Sequence, residues 1–289
     1  MRRRDSFPSR RGILMGAASA TLVAPAVLRA EAPFRLGLTP VFLDNDTRLL
    51  RELRGYLEAR LDRPVRFVQR RTYREITNLA LLGDLNAAWT CGYPYLQNRQ
   101  RLALVAVPLW RGRPEYRSYL IIHAGRGVDT LSELQGDVHA FSDPDSNSGY
   151  LVTVTDILEA GFDPEAFFSR SVFTYGHRNV VRAVGSALVQ SGSVDGYVWE
   201  ALAATEPGLT DRTQVLRRSE WMGFPPVVCL SEHRGAPAIR DFRQALLGMQ
   251  DHPRGRNVLD LLQLDGFTAG DERLFAPIAE RMALLPQGG

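Results

Sequence analysis

Sequence motifs of several large enzyme classes are absent from this chain of 289 residues. There is no glycine-rich phosphate loop, no Gly-x-Ser-x-Gly nucleophile turn and no His-Glu-x-x-His metal pair. Only two cysteines occur, and no cysteine and histidine spacing is typical of a zinc site. Internal repeats and low-complexity tracts are also missing. The sequence therefore favours a protein that is not an enzyme and implies no cofactor or metal.

A long membrane-spanning run is lacking as well, because the apolar stretch over residues 17–28 is too short. It follows Ser9-Arg10-Arg11-Gly12, and paired arginines before a modest apolar stretch predict a twin-arginine export signal over residues 1–30. Small residues cluster between Ala26 and Ala32, which predicts cleavage of the signal peptide there. The alternative is that the segment stays uncleaved and serves as an anchor. We therefore expect a periplasmic protein with no integral membrane segment after signal cleavage.

A strong charge excess is absent once the leader is set aside. The pI of about 9.1 reflects residues 1–30, which carry six arginines and one aspartate. The remainder holds 29 basic and 31 acidic residues, and this balance does not favour nucleic acid as a partner. A mature chain of about 259 residues is long enough for two lobes, each with its own core.

The mature chain shows a regular alternation of strand and helix patterns. In its first part, strands are predicted at 34–38, 65–68 and 87–90, and helices with an apolar stripe at 46–61 and 73–82. Repeated strand–helix units predict mainly parallel sheets flanked by helices, in which ligands bind beyond the carboxyl ends of the strands. Three predicted turns have that position: Thr39-Pro40, 91–95 and 146–148.

The most informative of these turns is Ser146-Asn147-Ser148-Gly149-Tyr150, which follows a predicted strand at 137–141 and precedes a predicted helix at 150–160. Its serines and asparagine are all favourable residues for capping a helix. Free N–H groups and a partial positive charge make a helix start a good anion site. We therefore predict that a tetrahedral oxyanion binds here, and a capped helix without a ligand is the alternative.

This turn resembles the Ser-Thr-Ser-Gly-Tyr turn of the periplasmic phosphate/phosphite/phosphonate-binding proteins, which are the solute-binding components of ABC importers. Other stretches resemble the same family in the same order, namely 73–89, 88–95, 175–178 and 193–197. Two residues depart from the family pattern. Asn147 stands where threonine is usual, and Cys91 lies in the loop that resembles the binding loop of the first lobe.

The resemblance implies an α/β fold of the two-lobed periplasmic binding protein type (type II), with a mainly parallel sheet in each lobe. Two hinge crossings are expected at 116–123 and 225–230. Lobe one would comprise residues 33–117 and 226–289, and lobe two residues 118–225. Helices at 239–249 and 258–264 would return to lobe one, and 272–285 would form a tail helix.

The resemblance also implies a ligand site. Its residues would be Ser146, Asn147, Ser148, Gly149, His177, Tyr93, Tyr95, Asp195 and Cys91. His177 would donate to an oxyanion, more strongly when protonated, with Arg178 as an extra cation. Asp195 would meet the ammonium group of an aminoalkylphosphonate, or would only cap a helix near Tyr197. Asp143 and Asp145 are interpreted as turn formers around Pro144.

Three interpretations of the cysteines stay open. Cys91 and Cys229 form a disulfide, as two cysteines in an exported protein suggest, or remain inert buried thiols. Alternatively, Cys91 binds a thiophilic species such as arsenite, as in related sensor proteins. The partner is accordingly an ABC permease or, in the sensor alternative, a membrane histidine kinase.

Overall fold

The structure is a computed structural model that describes residues 32–39 and 47–286. The predicted export signal and Pro40 of the first turn lie outside these residues. The strands are β1 (Phe34–Leu38), β2 (Val65–Gln69), β3 (Ala87–Trp89), β4 (Leu102–Leu109), β5 (Glu115–Tyr116), β6 (Ser118–His123), β7 (Val138–Phe141), β8 (Arg170–Phe173), β9 (Ser191–Asp195), β10 (Thr213–Arg218), β11 (Met222–Gly223), β12 (Val227–Leu230) and β13 (Gly266–Thr268).

The α-helices are α1 (Thr47–Leu61), α2 (Tyr73–Leu81), α3 (Gly92–Gln97), α4 (Val152–Glu159), α5 (Pro164–Phe167), α6 (His177–Gly185), α7 (Gly196–Thr205), α8 (Pro207–Thr210), α9 (Pro237–Leu247), α10 (Pro253–Leu262) and α11 (Ala276–Leu284). A π-helical segment, Asn147–Leu151, runs directly into α4. The predicted helix at 150–160 therefore begins three residues earlier than expected, inside the Ser-Asn-Ser turn.

Two main sheets carry the fold, and both mix parallel with antiparallel pairs. The first has the order β13-β4-β12-β3-β1-β2, in which β1 is parallel to β2 and β3, and β12 and β13 run antiparallel to their neighbours. The second has the order β10-β6-β9-β7-β8, in which β7 is parallel to β8 and β9. The α/β class is confirmed, but parallel pairing is confined to three neighbouring strands in each sheet.

The chain passes twice between the sheets, at 110–117 and 219–226. These crossings pair with each other, since β5 and β11 form an antiparallel two-stranded ribbon. The predicted crossing segments lie largely inside the sheets instead, because 118–123 forms β6 and 227–230 forms β12. Their strong strand pattern reflects burial, as nearly every residue of both strands is buried.

Helix positions follow from apolar faces and caps. The buried residues of α1 are Leu49, Leu53, Tyr56 and Leu57, and the predicted stripe members Leu50 and Leu61 are half-buried. A capping box between Thr72 and Glu75 starts α2 and fixes the position of Tyr73.

The carboxyl-terminal segment does more than pack as a tail helix. It forms a 3₁₀ turn at Glu272–Phe275 and then α11, whose Arg281 contacts α4. In 32–39 and 47–286, no helix has both the length and the apolar character of a membrane span.

Candidate ligand-binding site

The carboxyl ends of parallel strands from both sheets supply most of the polar residues that gather in one buried region. In the second sheet, Ser142 follows β7, His177 follows β8 by a short turn, and Asp195 ends β9. In the first sheet, Thr90 and Cys91 follow β3. This placement agrees with the general location of ligand sites in such sheets.

The Ser146–Gly149 turn is fixed from several sides. The Ser146 side chain caps the helical segment, since its Oγ accepts the Gly149 N–H at 3.0 Å. The Ser118 hydroxyl donates to the Ser148 carbonyl at 2.7 Å. Gly149 packs so closely that an added Cβ would lie 1.8 Å from Ser142 Oγ. The turn therefore has little freedom, which suits a preorganised binding site.

Asn147 links its turn to Cys91, next to the first sheet, through its backbone and to the crossing ribbon through its side chain. Its N–H donates to Cys91 Sγ at 3.3 Å. Its Nδ2 donates to the Tyr116 hydroxyl at 3.0 Å and to Met222 Sδ at 3.3 Å. Burial raises the pKa of Cys91 to about 11, so a neutral thiol accepts the Asn147 N–H at neutral pH. Two backbone donors of this helix start, the N–H groups of Asn147 and Gly149, thus already have protein partners.

His177 is held in one tautomer. The Asp195 N–H donates to His177 Nδ1 at 3.0 Å, so Nδ1 carries no proton. Burial lowers the pKa of His177 to about 3, so the ring is neutral and Nε2 carries the proton. His177 Nε2 therefore donates to the Tyr73 hydroxyl at 3.1 Å. The expectation that His177 acts as a protonated donor is not supported near neutral pH.

The two carboxyl oxygens of Asp195 differ in their contacts. Its Oδ1 caps α7 by accepting the N–H groups of Tyr197 at 2.8 Å and Val198 at 3.3 Å. Its Oδ2 has no hydrogen-bond partner among the described residues, although the residue is only 1% exposed. Burial raises the pKa of this carboxyl to about 7. The helix cap therefore uses one oxygen of the carboxyl and leaves the other available to a ligand.

Unsatisfied polar atoms concentrate in this region. We define the polar cluster as Tyr73, Thr90, Cys91, Tyr116, Ser142, Asn147, His177 and Asp195. Four buried atoms of the cluster lack a partner in the part of the chain that the structure describes: Thr90 Oγ1, Ser142 Oγ, Asn147 Oδ1 and Asp195 Oδ2. Because an unpaired buried polar atom costs roughly 1–3 kcal/mol, such a concentration is typical of a site completed by a ligand.

Three residues named from the sequence do not join the polar cluster. Tyr95 packs its ring against Phe275 at 5.2 Å between ring centres. Burial and the nearby Glu272 raise the pKa of the Tyr95 hydroxyl to about 12. Tyr93 is buried in the first turn of α3, where its hydroxyl interacts with the Gln97 side chain. Arg178 forms an ion pair with Glu206 instead of facing a ligand.

Asp143 and Asp145 contact the first sheet in addition to forming a turn. Asp143 Oδ1 accepts the Asp145 N–H at 2.8 Å, which is the predicted turn, and Asp143 Oδ2 accepts the Tyr73 N–H at 3.1 Å. Asp145 pairs with Arg74 through two contacts of 3.2 Å. These contacts join the loop after β7 to the start of α2, and so bring residues from the two sheets together.

Sequence reasoning missed five members of this region: Tyr73, Thr90, Tyr116, Ser142 and Met222. Thr90 ends a predicted strand and Ser142 directly follows one, so their position was a usable signal. Tyr116 and Met222 come from the crossing ribbon, where no local pattern marks a site.

A separate cavity of about 330 Å³ lies at the opposite edge of the first sheet. Arg99, Arg234, Arg243, Ser231 and Glu272 contribute to its lining. All five side chains are exposed, and none belongs to the buried atoms that lack a partner. The polar cluster, and not this cavity, is therefore the candidate ligand site.

Both cysteines are free and buried in the structure. Cys229 lies in β12 opposite Ala103 of β4, and Cys91 lies at the start of α3. The disulfide interpretation is therefore not supported.

Comparison with known proteins decides the family. The model of the family described as "ABC transporter, phosphonate, periplasmic substrate-binding protein" matches residues 36–275. The chain belongs to this family. The phosphonate-binding proteins are periplasmic solute-binding components of ABC transporters and not enzymes, so the protein binds a small ligand in the periplasm and has an ABC transporter as its partner.

Solved structures of phosphonate-binding proteins have the same fold. PhnD1 of Prochlorococcus marinus, solved with methylphosphonate, matches with a TM-score of 0.78 and 16% identity over 86% of this chain and 97% of that one. A binding component of a phosphonate ABC transporter from Pseudomonas aeruginosa has a TM-score of 0.78 and 19% identity, covering 89% and 90%. The aliphatic sulphonate-binding protein of Escherichia coli has a TM-score of 0.53 and 15% identity, covering 88% and 84%. The predicted type II binding-protein fold is confirmed.

Proposed function

We propose that this phosphonate-binding family member captures a phosphate, phosphite or phosphonate oxyanion at the polar cluster and delivers it to an ABC importer. One observation carries the proposal, namely the four unpartnered buried polar atoms that surround the capped start of the 147–159 helix. Such a helix start provides N–H donors and a partial positive charge, and the orphaned hydroxyl, amide and carboxyl groups provide further hydrogen bonds. The methylphosphonate complex of the Prochlorococcus relative supports this ligand class.

The lobes of the proposed receptor are residues 33–117 with 226–289, and residues 118–225. Sheet membership supports this division, because the first sheet draws its strands from 34–109, 227–230 and 266–268, and the second from 118–218. The polar cluster then lies between the lobes. We also propose export by the twin-arginine route, on the strength of Arg10 and Arg11 before the apolar stretch. The family favours an ABC permease over a sensor kinase as the partner.

Calorimetric titration of the mature protein with phosphate, phosphite and methylphosphonate tests the proposal. We expect saturable binding of at least one of them at a single site. Ser148→Ala and Ser146→Ala should each weaken that binding about 10- to 150-fold, the usual effect of losing a hydrogen bond to a charged group. Ser231→Ala, in the separate cavity, is the matched control and should bind like the wild type. Absence of heat with all three ligands at millimolar concentration would exclude the proposed ligand class.

Ligand binding should also shift the protein toward a closed form. Two lobes between which the described chain crosses at 110–117 and 219–226 are expected to rotate about that ribbon. The Arg74–Asp145 pair and the bond from the Tyr73 N–H to Asp143 join the two proposed lobes beside the polar cluster. Small-angle X-ray scattering should therefore give a smaller radius of gyration with saturating ligand than without. An identical profile at proven saturation would indicate a receptor that does not move.

A second candidate function is recognition of a thiophilic oxyanion such as arsenite. It is favoured by the position of Cys91 Sγ, 3.3 Å from the Asn147 N–H, and by a second sulfur, Met222 Sδ, on the same asparagine. Thiophilic species bind preferentially to soft donors such as thiolates and thioethers. The raised pKa of Cys91 disfavours this function, because a thiol is a poorer ligand than a thiolate.

Thiol counting and a Cys91→Ser variant separate the two functions. We expect two free thiols in the denatured protein, since Cys91 and Cys229 are not bonded to each other. Methylphosphonate affinity should stay within a few-fold in Cys91→Ser, because a hydroxyl can still accept the Asn147 N–H. Arsenite binding by the wild type that disappears in the variant would favour the thiophilic function instead.

A further inference from the structure

The cavity of about 330 Å³ lies at the opposite end of the first sheet from the polar cluster. Strands β3 and β4 both run antiparallel to β12, so the start of β4 and the end of β3 lie at opposite ends of the sheet. Leu102 and Ala103 at the start of β4 line the cavity, whereas Thr90 and Cys91 follow β3. The cavity is therefore separate from the proposed oxyanion site, and its volume lies in the usual range of about 300–1,000 Å³ for small-molecule pockets.

Three arginines from different elements line this cavity. Arg99 follows α3, Arg234 follows the 3₁₀ turn at Ser231–His233, and Arg243 lies in α9. Among the described residues, none forms an ion pair or a side-chain hydrogen bond with these three guanidinium groups. Such unpaired cations around one concave surface attract anions, because their potentials add.

The charge of the lining is positive even when its acidic member is counted. Glu272 is the one acidic side chain among the described residues that line the cavity, so three positive charges and one negative charge leave a net charge of +2. Its carboxylate forms no ion pair with Arg99 or Arg234. The three arginines therefore keep their donors free for a ligand.

The Tyr95 hydroxyl adds a buried donor beside the cavity. The residue is 0% exposed, and its hydroxyl has no hydrogen-bond partner among the described residues. Burial and the charge of Glu272 raise its pKa to about 12, and the charges of Arg234 and Arg99 act on it in the opposite direction. The hydroxyl is therefore protonated at neutral pH. An unpaired buried hydroxyl is rare and calls for a partner, which an anion in this cavity would supply.

We propose that this cavity is a second ligand site, which binds a small compound with two or more linked phosphate groups, of the pyrophosphate class. Each guanidinium fork can donate to two oxygens, and three such forks engage more oxygens than one phosphate group has. The oxygens of linked phosphate groups point in several directions and can accept from donors on three separate elements, whereas a carboxylate accepts mainly near its own plane. The site goes beyond the proposed function, because it shares no residue with the polar cluster.

Calorimetric titration of the mature protein with inorganic pyrophosphate tests this site. The wild type should bind it saturably, and Arg243→Gln should weaken the binding at least about tenfold, since a charge-assisted hydrogen bond is lost. Arg240→Gln is the matched control, because Arg240 is an exposed arginine of the same helix that does not line the cavity. Citrate carries its negative charges on carboxylates, and it should bind at least about tenfold more weakly than pyrophosphate.

Tyr95→Phe tests the buried donor. The variant keeps the ring that packs against Phe275 and removes only the hydroxyl. Pyrophosphate affinity should fall about 2- to 10-fold, the usual effect of losing a hydrogen bond from a neutral group. The melting temperature without ligand should not fall, because the hydroxyl has no partner to lose. A lower melting temperature with unchanged affinity would show that the hydroxyl serves the fold and not a ligand.

The remaining outcomes overturn the second site. Pyrophosphate binding that is lost in Ser146→Ala and kept in Arg243→Gln would place this anion at the polar cluster. Equal losses in Arg240→Gln and Arg243→Gln would show general attraction of anions to a basic surface. Citrate binding as tight as that of pyrophosphate, or no pyrophosphate binding at all, would also contradict the inference. Methylphosphonate titration of the wild type decides the proposed function separately, so the two proposals can fail independently.

Discussion

Gly149→Ala should reduce the affinity for the oxyanion by about 5- to 150-fold, while the protein stays folded. A Cβ at this position would lie 1.8 Å from Ser142 Oγ, 2.7 Å from Ser142 Cβ and 3.0 Å from His177 Cε1. The serine and histidine must therefore move, or the turn that carries Ser146 to Ser148 must move. Overpacking of this kind typically costs about 1–3 kcal/mol. If the displaced groups are those that bind the oxyanion, this cost corresponds to the stated loss of affinity.

Two further variants make the Gly149 result interpretable. Gly127→Ala adds the same methyl group where nothing lies within 4 Å, so its affinity should equal that of the wild type. Ser142→Gly in the Gly149→Ala background removes the main clash and should recover part of the lost affinity. Calorimetry with methylphosphonate measures all three. Full affinity in Gly149→Ala would mean that the turn does not contribute to the ligand site.

Arg281→Ala should lower the free energy of unfolding by about 3–5 kcal/mol, the usual effect of removing one partner from a buried ion pair. Arg281 donates to Asp156 Oδ1 at 2.8 Å, to Thr155 Oγ1 at 2.7 Å and to both oxygens of Glu220 at 2.7 and 2.8 Å. Burial raises the pKa of Asp156, and Arg281 offsets part of that effect. Without the guanidinium, α11 loses this polar link to α4, and the ion pair left to Asp156 among the described residues is the 3.4 Å contact with Arg217.

Arg273→Ala is the matched control for the stability measurement. Arg273 also pairs with an aspartate, Asp271, but its side chain is 90% exposed. Exposed ion pairs contribute at most about 1 kcal/mol, so this variant should unfold close to the wild type. Urea denaturation of both variants gives the comparison. Equal destabilisation of the two, or none in Arg281→Ala, would contradict the role assigned to Arg281.

The parts of the molecule that sequence patterns predicted are those set by local chemistry. The strands at 34–38 and 65–69 and the helix at 47–61 follow directly from apolar spacing. The Ser146 cap was predictable because capping depends on neighbouring residues only. Residues at the ends of parallel strands, such as Asp195, were also found, since the sheet gathers those ends at one edge.

The features that sequence patterns did not predict depend on contacts between distant segments. Tyr73 reaches His177 across 104 positions, and Asn147 reaches Met222 across 75. The neutral state of His177 could not be predicted either, because complete burial lowers its pKa to about 3 and burial is a tertiary property. The antiparallel pairing of β12 and β13 with β4 joins segments that are far apart in the sequence, so local patterns do not predict it.

A crystal structure of the mature protein with methylphosphonate tests the central claim most directly. We predict the phosphonate group at the start of the 147–159 helix, with its oxygens within hydrogen-bonding distance of at least two of the four unpartnered atoms of the polar cluster. These atoms are Thr90 Oγ1, Ser142 Oγ, Asn147 Oδ1 and Asp195 Oδ2. A ligand bound instead in the cavity beside Arg99, Arg234 and Arg243, with the polar cluster unchanged, would contradict the claim.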